Sequence, residues 1–360
     1  MREIVELTKA LIRFKTRSGD AAELHRCAQY IEAYLKECGA VYHRQDIDGV
    51  PAIWALPRTG RAKILLMSHF DVVDGPDTLF DPLEKDGKLY GRGAVDDKYA
   101  VALSLVLFKN RLAAIQKGGG GQAALPFGIL MTGDEEEGGF KGAARALAQI
   151  HADFCIALDG GDTRRIIIKE KGILQVRLTA AGRSAHGSRP WLGKNAIEIL
   201  MADLARLKPL FDSAALGYTP EGYWHRTMNI GIIAGGQVVN QVPDEATAEL
   251  DIRYTEHDDV PGLIRSMQER VESTLAVTIQ EPLFEAGPTP YLDRLQAAAP
   301  DARLDCENGA SDARFLSAHG IPGVVWGADG GNSQHAGNEH IVIESIGRLY
   351  HALDTFMDDS

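Results

Sequence analysis

The chain has 360 residues, too many for one compact domain at roughly 100–200 residues each, and with 45% apolar and 24% charged residues it is neither disordered nor fibrous. Apolar runs such as Ile64–Met67 are far shorter than the ~20 residues of a membrane helix. The net charge of −12 comes without any Lys/Arg block, so neither membrane nor nucleic acid is an expected partner. The acid-containing amino terminus does not read as a secretory signal, and four scattered cysteines (Cys27, Cys38, Cys155, Cys306) fit a reduced, cytoplasmic setting.

Apolar residues at helical spacing predict a helix over Arg2–Phe14 and a second from about Ala21 to Glu37, capped by Asp20 and stopped at Gly39. Strands follow at Ile53–Leu56 and Lys63–Met67, then a buried helix at Tyr99–Leu112. A glycine-rich loop (118–121) precedes a strand at Phe127–Thr132, and another strand spans Phe154–Leu158. Strand, polar cluster and helix repeat, which predicts an α/β domain with a mostly parallel mixed sheet flanked by helices. The middle of the chain reads as an inserted α+β unit. It has a strand at Gly172–Ala181, a helix from about Asn195 to Leu207, strands at Met228–Ile233 and Ala246–Tyr254, and a helix from about Val260 to Leu275. The first pattern then returns, with a strand at Gly323–Trp326 and a closing helix at Ile343–Met357. The expected division is therefore residues 1–172 with 281–360 as one domain and 173–280 as an inserted lid and dimerisation domain.

Ligands of such sheets bind beyond the carboxyl ends of the strands, and that is where the acids and histidines cluster. Ser68-His69-Phe70-Asp71 can give an imidazole to a metal, with a carboxylate beside it to orient the ring. Gly91-Arg92-Gly93-Ala94-Val95-Asp96-Asp97-Lys98 lacks the third glycine of a dinucleotide fingerprint. Asp96 stands in its place and would repel a pyrophosphate, so a tight loop offering a carboxylate to a cation is the better reading. Asp134-Glu135-Glu136-Glu137, closed by glycines, follows a buried strand. So many carboxylates pack together only at a cost unless a cation is present. Asp159 ends a strand, and His335 lies in a glycine-rich loop. Taken singly, each of these residues also fits a turn or a surface loop. Together, His69, Asp96, Glu136, Asp159 and His335 supply two imidazoles and three carboxylates. With Asp96 bridging and one shared hydroxide, each of two metals receives four ligands and the charges balance, which suits zinc.

In this order and spacing the motifs resemble the dizinc peptidase and deacylase family of glutamate carboxypeptidase, succinyl-diaminopimelate desuccinylase, acetylornithine deacetylase, aminoacylase and bacterial dipeptidases. The resemblance runs along essentially the whole chain. It implies two zinc ions, with cobalt or manganese as substitutes. Asp159 and His69 would serve one ion, Glu136 and His335 the other, and Asp96 both, with a cis peptide to Asp97. Glu135 would be the general base and later acid, and Asp71 would orient His69. In the insert, Gly182-Arg183-Ser184-Ala185-His186-Gly187 resembles the turn whose histidine stabilises the oxyanion in the partner subunit, which implies a homodimer through this domain. Asn240 and Arg253 match residues that hold a substrate carboxylate, an Arg fork giving two-pronged geometry for it. Lys171 and Ser311, the latter in the loop 309–314, are further substrate-site candidates.

Three features depart from or divide the pattern. Tyr99 replaces a usual Gly, a change expected to narrow the pocket. Asp159-Gly160 stands for the Glu-Pro of carboxypeptidases and desuccinylases, leaning towards aminopeptidases and dipeptidases. Ser311-Asp312-Ala313-Arg314-Phe315 is nonetheless desuccinylase-like. The expected function is zinc-dependent hydrolysis of a peptide or N-acyl bond in a small substrate with a free carboxylate. A non-catalytic, metal-stabilised binding or assembly relative is the alternative, although neither a ligand nor the base is missing. G-x-S-x-G and H-E-x-x-H strings are absent, which disfavours serine hydrolases and single-zinc peptidases of that type.

Overall fold

The computed structural model describes residues 1–212 and 223–358. It forms two compact units, one of Met1–Lys169, Glu285–Asp305 and Ser311–Ser360, the other of Glu170–Phe284 and Cys306–Ala310.

The first unit opens with α1 (Arg2–Ile12), which buries Ile4, Leu7 and Leu11 along one stripe, and α2 (Ala21–Glu37), whose first turn is capped by Asp20 accepting from Glu23 N. Strands β1 (His43–Ile47), β2 (Val50–Ala55) and β3 (Arg61–His69) lead to a hairpin of β4 (Leu83–Lys85) and β5 (Lys88–Tyr90). Helix α3 (Lys98–Lys117) is buried on every side from Lys98 to Phe108, as a helix that is apolar all round must be. Strand β6 (Phe127–Thr132), helix α4 (Ala143–Leu147), and strands β7 (His151–Ala157) and β8 (Arg165–Glu170) complete this pass.

The second unit holds β9 (Gly172–Ala181), α5 (Ala196–Leu207), β10 (Thr227–Gly235), β11 (Glu245–Tyr254), α6 (Val260–Arg270) and β12 (Thr274–Glu281). Its antiparallel sheet runs β10-β11-β9-β12. Alternate residues of β9 (Leu174, Val176, Leu178, Ala180) share a core with Leu200 of α5 and Met267 of α6. Strand β10 is an edge, and Ile230, Ile232 and Ile233 on it are exposed. The helix expected to reach Leu275 stops at Arg270, and Leu275 lies in a strand instead. The buried carboxylate of Asp203 accepts from Glu272 N and Ser273 N and holds the chain where the helix ends.

The chain then returns through β13 (Phe284–Glu285), α7 (Pro290–Ala298), β14 (Arg303–Glu307), β15 (Gly323–Val325), β16 (His340–Val342) and α8 (Ile343–Asp358). The large sheet runs β1-β2-β6-β3-β7-β15-β8-β13, with β14 pairing β8. Its centre (β6, β3, β7, β15) is parallel and its flanks are antiparallel. Helix α2 packs on β2, and α3 packs on β3 and β6. His69 is in register with Thr132, and Met67 with Ala157. The carboxyl ends of β6, β3 and β7 therefore emerge side by side. No described helix is long and apolar enough to cross a membrane.

Candidate metal centre

That register brings three polar clusters to one edge. His69 ends β3, Asp159 follows β7 two residues beyond the Met67–Ala157 pair, and Glu135 and Glu136 follow β6. Phe70 N continues the ladder to Thr132 O at 2.9 Å. Asp96 arrives on the loop before the buried α3, where the helix N-terminus favours an anion. The Asp96–Asp97 peptide is cis. His335 arrives on the loop between β15 and β16.

The side chains meet in two triads, His69–Asp96–Asp159 and Asp96–Glu136–His335, and within each the nitrogen and oxygen atoms lie within 4.8 Å of one another. Asp96 divides itself between them. Its Oδ1 lies 3.0 Å from His69 Nε2 and its Oδ2 lies 3.1 Å from His335 Nε2. His335 Nε2 is 3.2 Å from Glu136 Oε2, and His69 Nε2 is 3.9 Å from Asp159 Oδ1. The Asp71 main-chain oxygen and its Oδ1 flank His69 Nδ1 at 3.2 and 3.3 Å. Two acceptors there place the ring proton on Nδ1 and leave the Nε2 lone pair facing the carboxylates.

Charge is tightly shared within the cluster. Burial pushes Asp159 well above the usual carboxylate range, and the charges of Asp96 and Glu135 push it further. Burial opposes the ionised form of Asp96 as well, but its bonds to His335 and His69 hold it below its ordinary value. His335 is raised to about 10 by its bonds to Asp96 and Glu136, against burial. Burial disfavours the charged form of His69, yet Asp71 and Asp96 carry it well above its ordinary value. Protons on the imidazoles here stand in for a metal, and a nitrogen and oxygen donor set with one shared carboxylate fits two divalent cations such as zinc.

Glu135 lies beside the triads. Its main-chain N donates to Asp71 Oδ1 at 3.1 Å, and Glu136 N donates to Asp71 Oδ2 at 3.0 Å. One fully buried carboxylate thus orients both the His69 ring and the turn that carries Glu135. Burial pushes the Glu135 carboxyl well above its ordinary range; His69 opposes this, while Asp312, Asp96 and Glu136 add to it.

Several groups around the centre make contacts that the sequence does not announce. Arg314 Nη1 is 3.9 Å from Glu135 Oε1, and the guanidinium also donates to Ser311 O and Gly138 O. Asp312 accepts from Thr132 Oγ1 at 3.2 Å, and burial raises it to about 7 although Arg314 opposes the shift. Gly139 is required here, because with φ +66° any Cβ would collide with Asp312 Oδ1. The only sequence signal for this contact is the proximity of glycines to acids. Tyr99 does not narrow a pocket. It is fully buried, donates to Leu158 O at 2.9 Å and accepts from Ala328 N at 2.8 Å, supporting the strand end beside Asp159. Ser311 is buried, and its hydroxyl accepts from Ala313 N.

The other candidates belong to the second unit. His186 and Asn240 are exposed on adjoining loops, joined by Gly187 N donating to Asn240 O at 2.7 Å. His186 Nδ1 accepts from Ser188 N at 3.1 Å. Arg253, on β11, donates from Nε to Asp251 Oδ2 at 3.0 Å. Lys171 is buried and donates to Tyr223 O at 2.8 Å; burial, with Arg253 nearby, lowers its pKa against the pull of Asp258.

Residues 168–278 match the peptidase dimerisation domain of the M20 peptidases. The chain is 31% identical over 333 residues to a succinyl-diaminopimelate desuccinylase of Gluconacetobacter diazotrophicus, covering 84% of this chain and 82% of that one. The chain belongs to the M20 family of amide-bond hydrolases. A probable carboxypeptidase of Paracoccidioides brasiliensis is 33% identical over 217 residues, 56% of this chain and 47% of its own. Among solved structures, a tripeptidase from Staphylococcus aureus superposes with a TM-score of 0.81 at 20% identity, covering 99% of this chain and 98% of its own. An M20 metallo-carboxypeptidase from Sulfolobus solfataricus gives 0.79 at 19% identity, with 99% of each chain covered. These last two likenesses show a shared fold along nearly the whole chain.

Proposed function

We propose that this M20 hydrolase cleaves a peptide or N-acyl bond in a small substrate bearing a free carboxylate, as a dipeptidase or exopeptidase or as an N-acyl-amino-acid deacylase, with two zinc ions bound in the two triads. The observation that carries the reading is Asp96 facing one imidazole with each oxygen while Glu135 stands beside both triads. His69, Asp96 and Asp159 would hold one ion, and Asp96, Glu136 and His335 the other. When bound, the cations acidify a water and polarise the scissile carbonyl.

The remaining chemistry belongs to the chain's own residues. Glu135 takes the proton of the attacking water, and the new C–O bond forms at the carbonyl carbon. Glu135 then passes that proton to the leaving nitrogen as the C–N bond breaks, giving a carboxylic acid and an amine. Asp71 keeps the His69 ring and the Glu135 turn in fixed relation. Arg253 and Asn240 would hold the substrate carboxylate, with Lys171 and Ser311 as further substrate-site groups. His186 would stabilise the developing oxyanion across a homodimer formed through the second unit. The match to a dimerisation domain and the apolar β10 edge, a ready template for pairing, support that assembly.

Primary-amine release by zinc-loaded protein is the test. The panel holds dipeptides and N-acetyl, N-succinyl and N-formyl amino acids, each with the carboxylate free or amidated. Turnover is expected only with the free carboxylate, and the class that turns over separates peptidase from deacylase. Glu135→Ala should lower turnover by about 10²–10⁴-fold with zinc still bound. Normal turnover in that variant overturns the mechanism, and a monomeric mass for active enzyme in light scattering overturns the assembly.

A further inference from the structure

His335 is unusual among the candidate ligands. Its side chain is 54% exposed, and its backbone lies at φ +62°, a left-handed conformation that a side-chain-bearing residue rarely adopts unaided. Neither packing nor backbone preference explains how this ring comes to face Asp96 and Glu136. The explanation lies behind it, in a pair of side chains that the chemistry above does not use.

Arg92 and Glu339 are an ion pair with side chains 4% and 0% exposed, Arg92 Nη1 meeting Glu339 Oε2 at 2.5 Å. The other arm of the guanidinium, Nη2, donates to the His335 carbonyl at 3.2 Å and to the Asp74 carbonyl at 3.3 Å. The second carboxylate oxygen, Glu339 Oε1, accepts from Val95 N at 3.3 Å, one residue before Asp96. Gly91 N donates to the Glu339 carbonyl at 3.0 Å. Two buried side chains thus tie together the loop that follows Asp71, the loop that delivers Asp96 and the loop that delivers His335. His69 and Asp159 depend far less on this pair, because they end or follow paired strands, and the shared Asp96 is reached by it only through Val95 N.

We propose that Arg92 and Glu339 act as a positioning pair that sets the His335 half of the metal centre by gripping the ligand's own carbonyl. The inference rests on the two triads being a metal centre. A buried ion pair whose fork reaches three loops has one low-energy arrangement, because loss of either partner leaves a charge buried without compensation. The loop of His335 is therefore set before any cation arrives.

The test is zinc titration of the full-length protein by calorimetry, with cobalt absorption as a second readout of ligand geometry. The variants are Arg92→Lys, which keeps the charge but loses the fork, and Arg92→Met paired with Glu339→Met, which removes both charges together. Wild type is expected to take up two zincs per chain. In the variants one site should keep its affinity and the other should weaken on the order of 10–100-fold, as loss of a group supporting a ligand usually does. Two sites of unchanged affinity, or two sites weakened equally, overturn the proposal and leave the pair a general structural contact. If the double variant does not fold, Arg92→Lys decides between the outcomes by the same criterion. Fewer than two zincs on wild type would remove the dimetal reading and this inference together, whereas two on wild type with unchanged variants would remove the inference alone.

Discussion

The two imidazoles that face Asp96 are held by opposite means. His69 ends a strand flanked by parallel neighbours, its side chain is 2% exposed, and its Nδ1 is fixed by Asp71. His335 rides an irregular loop, half exposed, with its backbone left-handed and its carbonyl gripped from behind. The first half of the site is set by the sheet that also builds the core. The second is set by side chains linking loops that have no ladder of their own. One half is fixed by a hydrogen-bonded ladder and the other by a few side chains, so the two halves should respond differently to mutation and to pH.

The sharpest way to break this comparison is Asp71→Asn. Asparagine fits the same space but offers one acceptor where two backbone amides and an imidazole are served. Zinc affinity of the His69 half should fall on the order of 10–100-fold, the His335 half should change less, and calorimetric titration separates the two. Equal losses would mean that the halves are not independently held.

A second test concerns the acid packed under the Glu135 turn. Burial raises the Asp312 carboxyl from 3.8 to about 7, so its neutral form is favoured in the folded protein. The contribution to stability is fully present below pH 3.8 and is lost as pH rises through about 7. Asp312→Asn should therefore gain on wild type between pH 4 and pH 8, by up to about 4 kcal/mol from a shift of this size. Denaturant melts at the two pH values measure it, and a pH-independent difference would show that Asp312 is ionised throughout.

The smallest expected effect sharpens the loop-held half. In metal-free protein His335 is raised from 6.5 to about 10 by Asp96 and Glu136. Its stabilising charge is fully present below pH 6.5 and fades as pH rises through about 10. Metal-free wild type should lose melting temperature over that interval more steeply than His335→Gln, modestly, because the ring is half exposed. Parallel melting curves for the two proteins would remove the charge from the account.

Much of this was legible in the chain because strands that end in acids or histidines announce both an edge and a chemistry. The strands Phe127–Thr132 and Gly172–Ala181 and the helix Ala21–Glu37 have the boundaries their periodicity predicts. His69, Glu136 and Asp159 were readable as residue types at strand ends, and parallel register brings those ends together, whereas Asp96 and His335 arrive on loops. What periodicity missed depends on distant partners. Strand β1 has four polar residues before Ile47 and shows no alternation, and the end of α6 is decided by Asp203, about seventy residues earlier in the chain. Arg92 stood in plain view between two glycines, but its function depends on carbonyls at positions 74 and 335 that no local pattern links to it. Arg314 and Asp312 read only as part of a weak substrate motif, because their neighbour, the Glu135 turn, lies far away in sequence.

The path of the chain between the two units has a separate consequence. It leaves the large sheet at β8 and re-enters at β13, and these strands are neighbours, with Ala286 N donating to Ile168 O at 2.8 Å. Exit and re-entry thus sit side by side, like the two ends of a hairpin whose turn has been enlarged to more than a hundred residues. Because the two ends are adjacent strands, a short turn from Lys169 to Glu285 would be long enough to join them. The architecture is modular: the excursion can be lengthened, exchanged or redesigned at one hairpin of the sheet while the strands that carry His69, Glu136 and Asp159 are inherited unchanged.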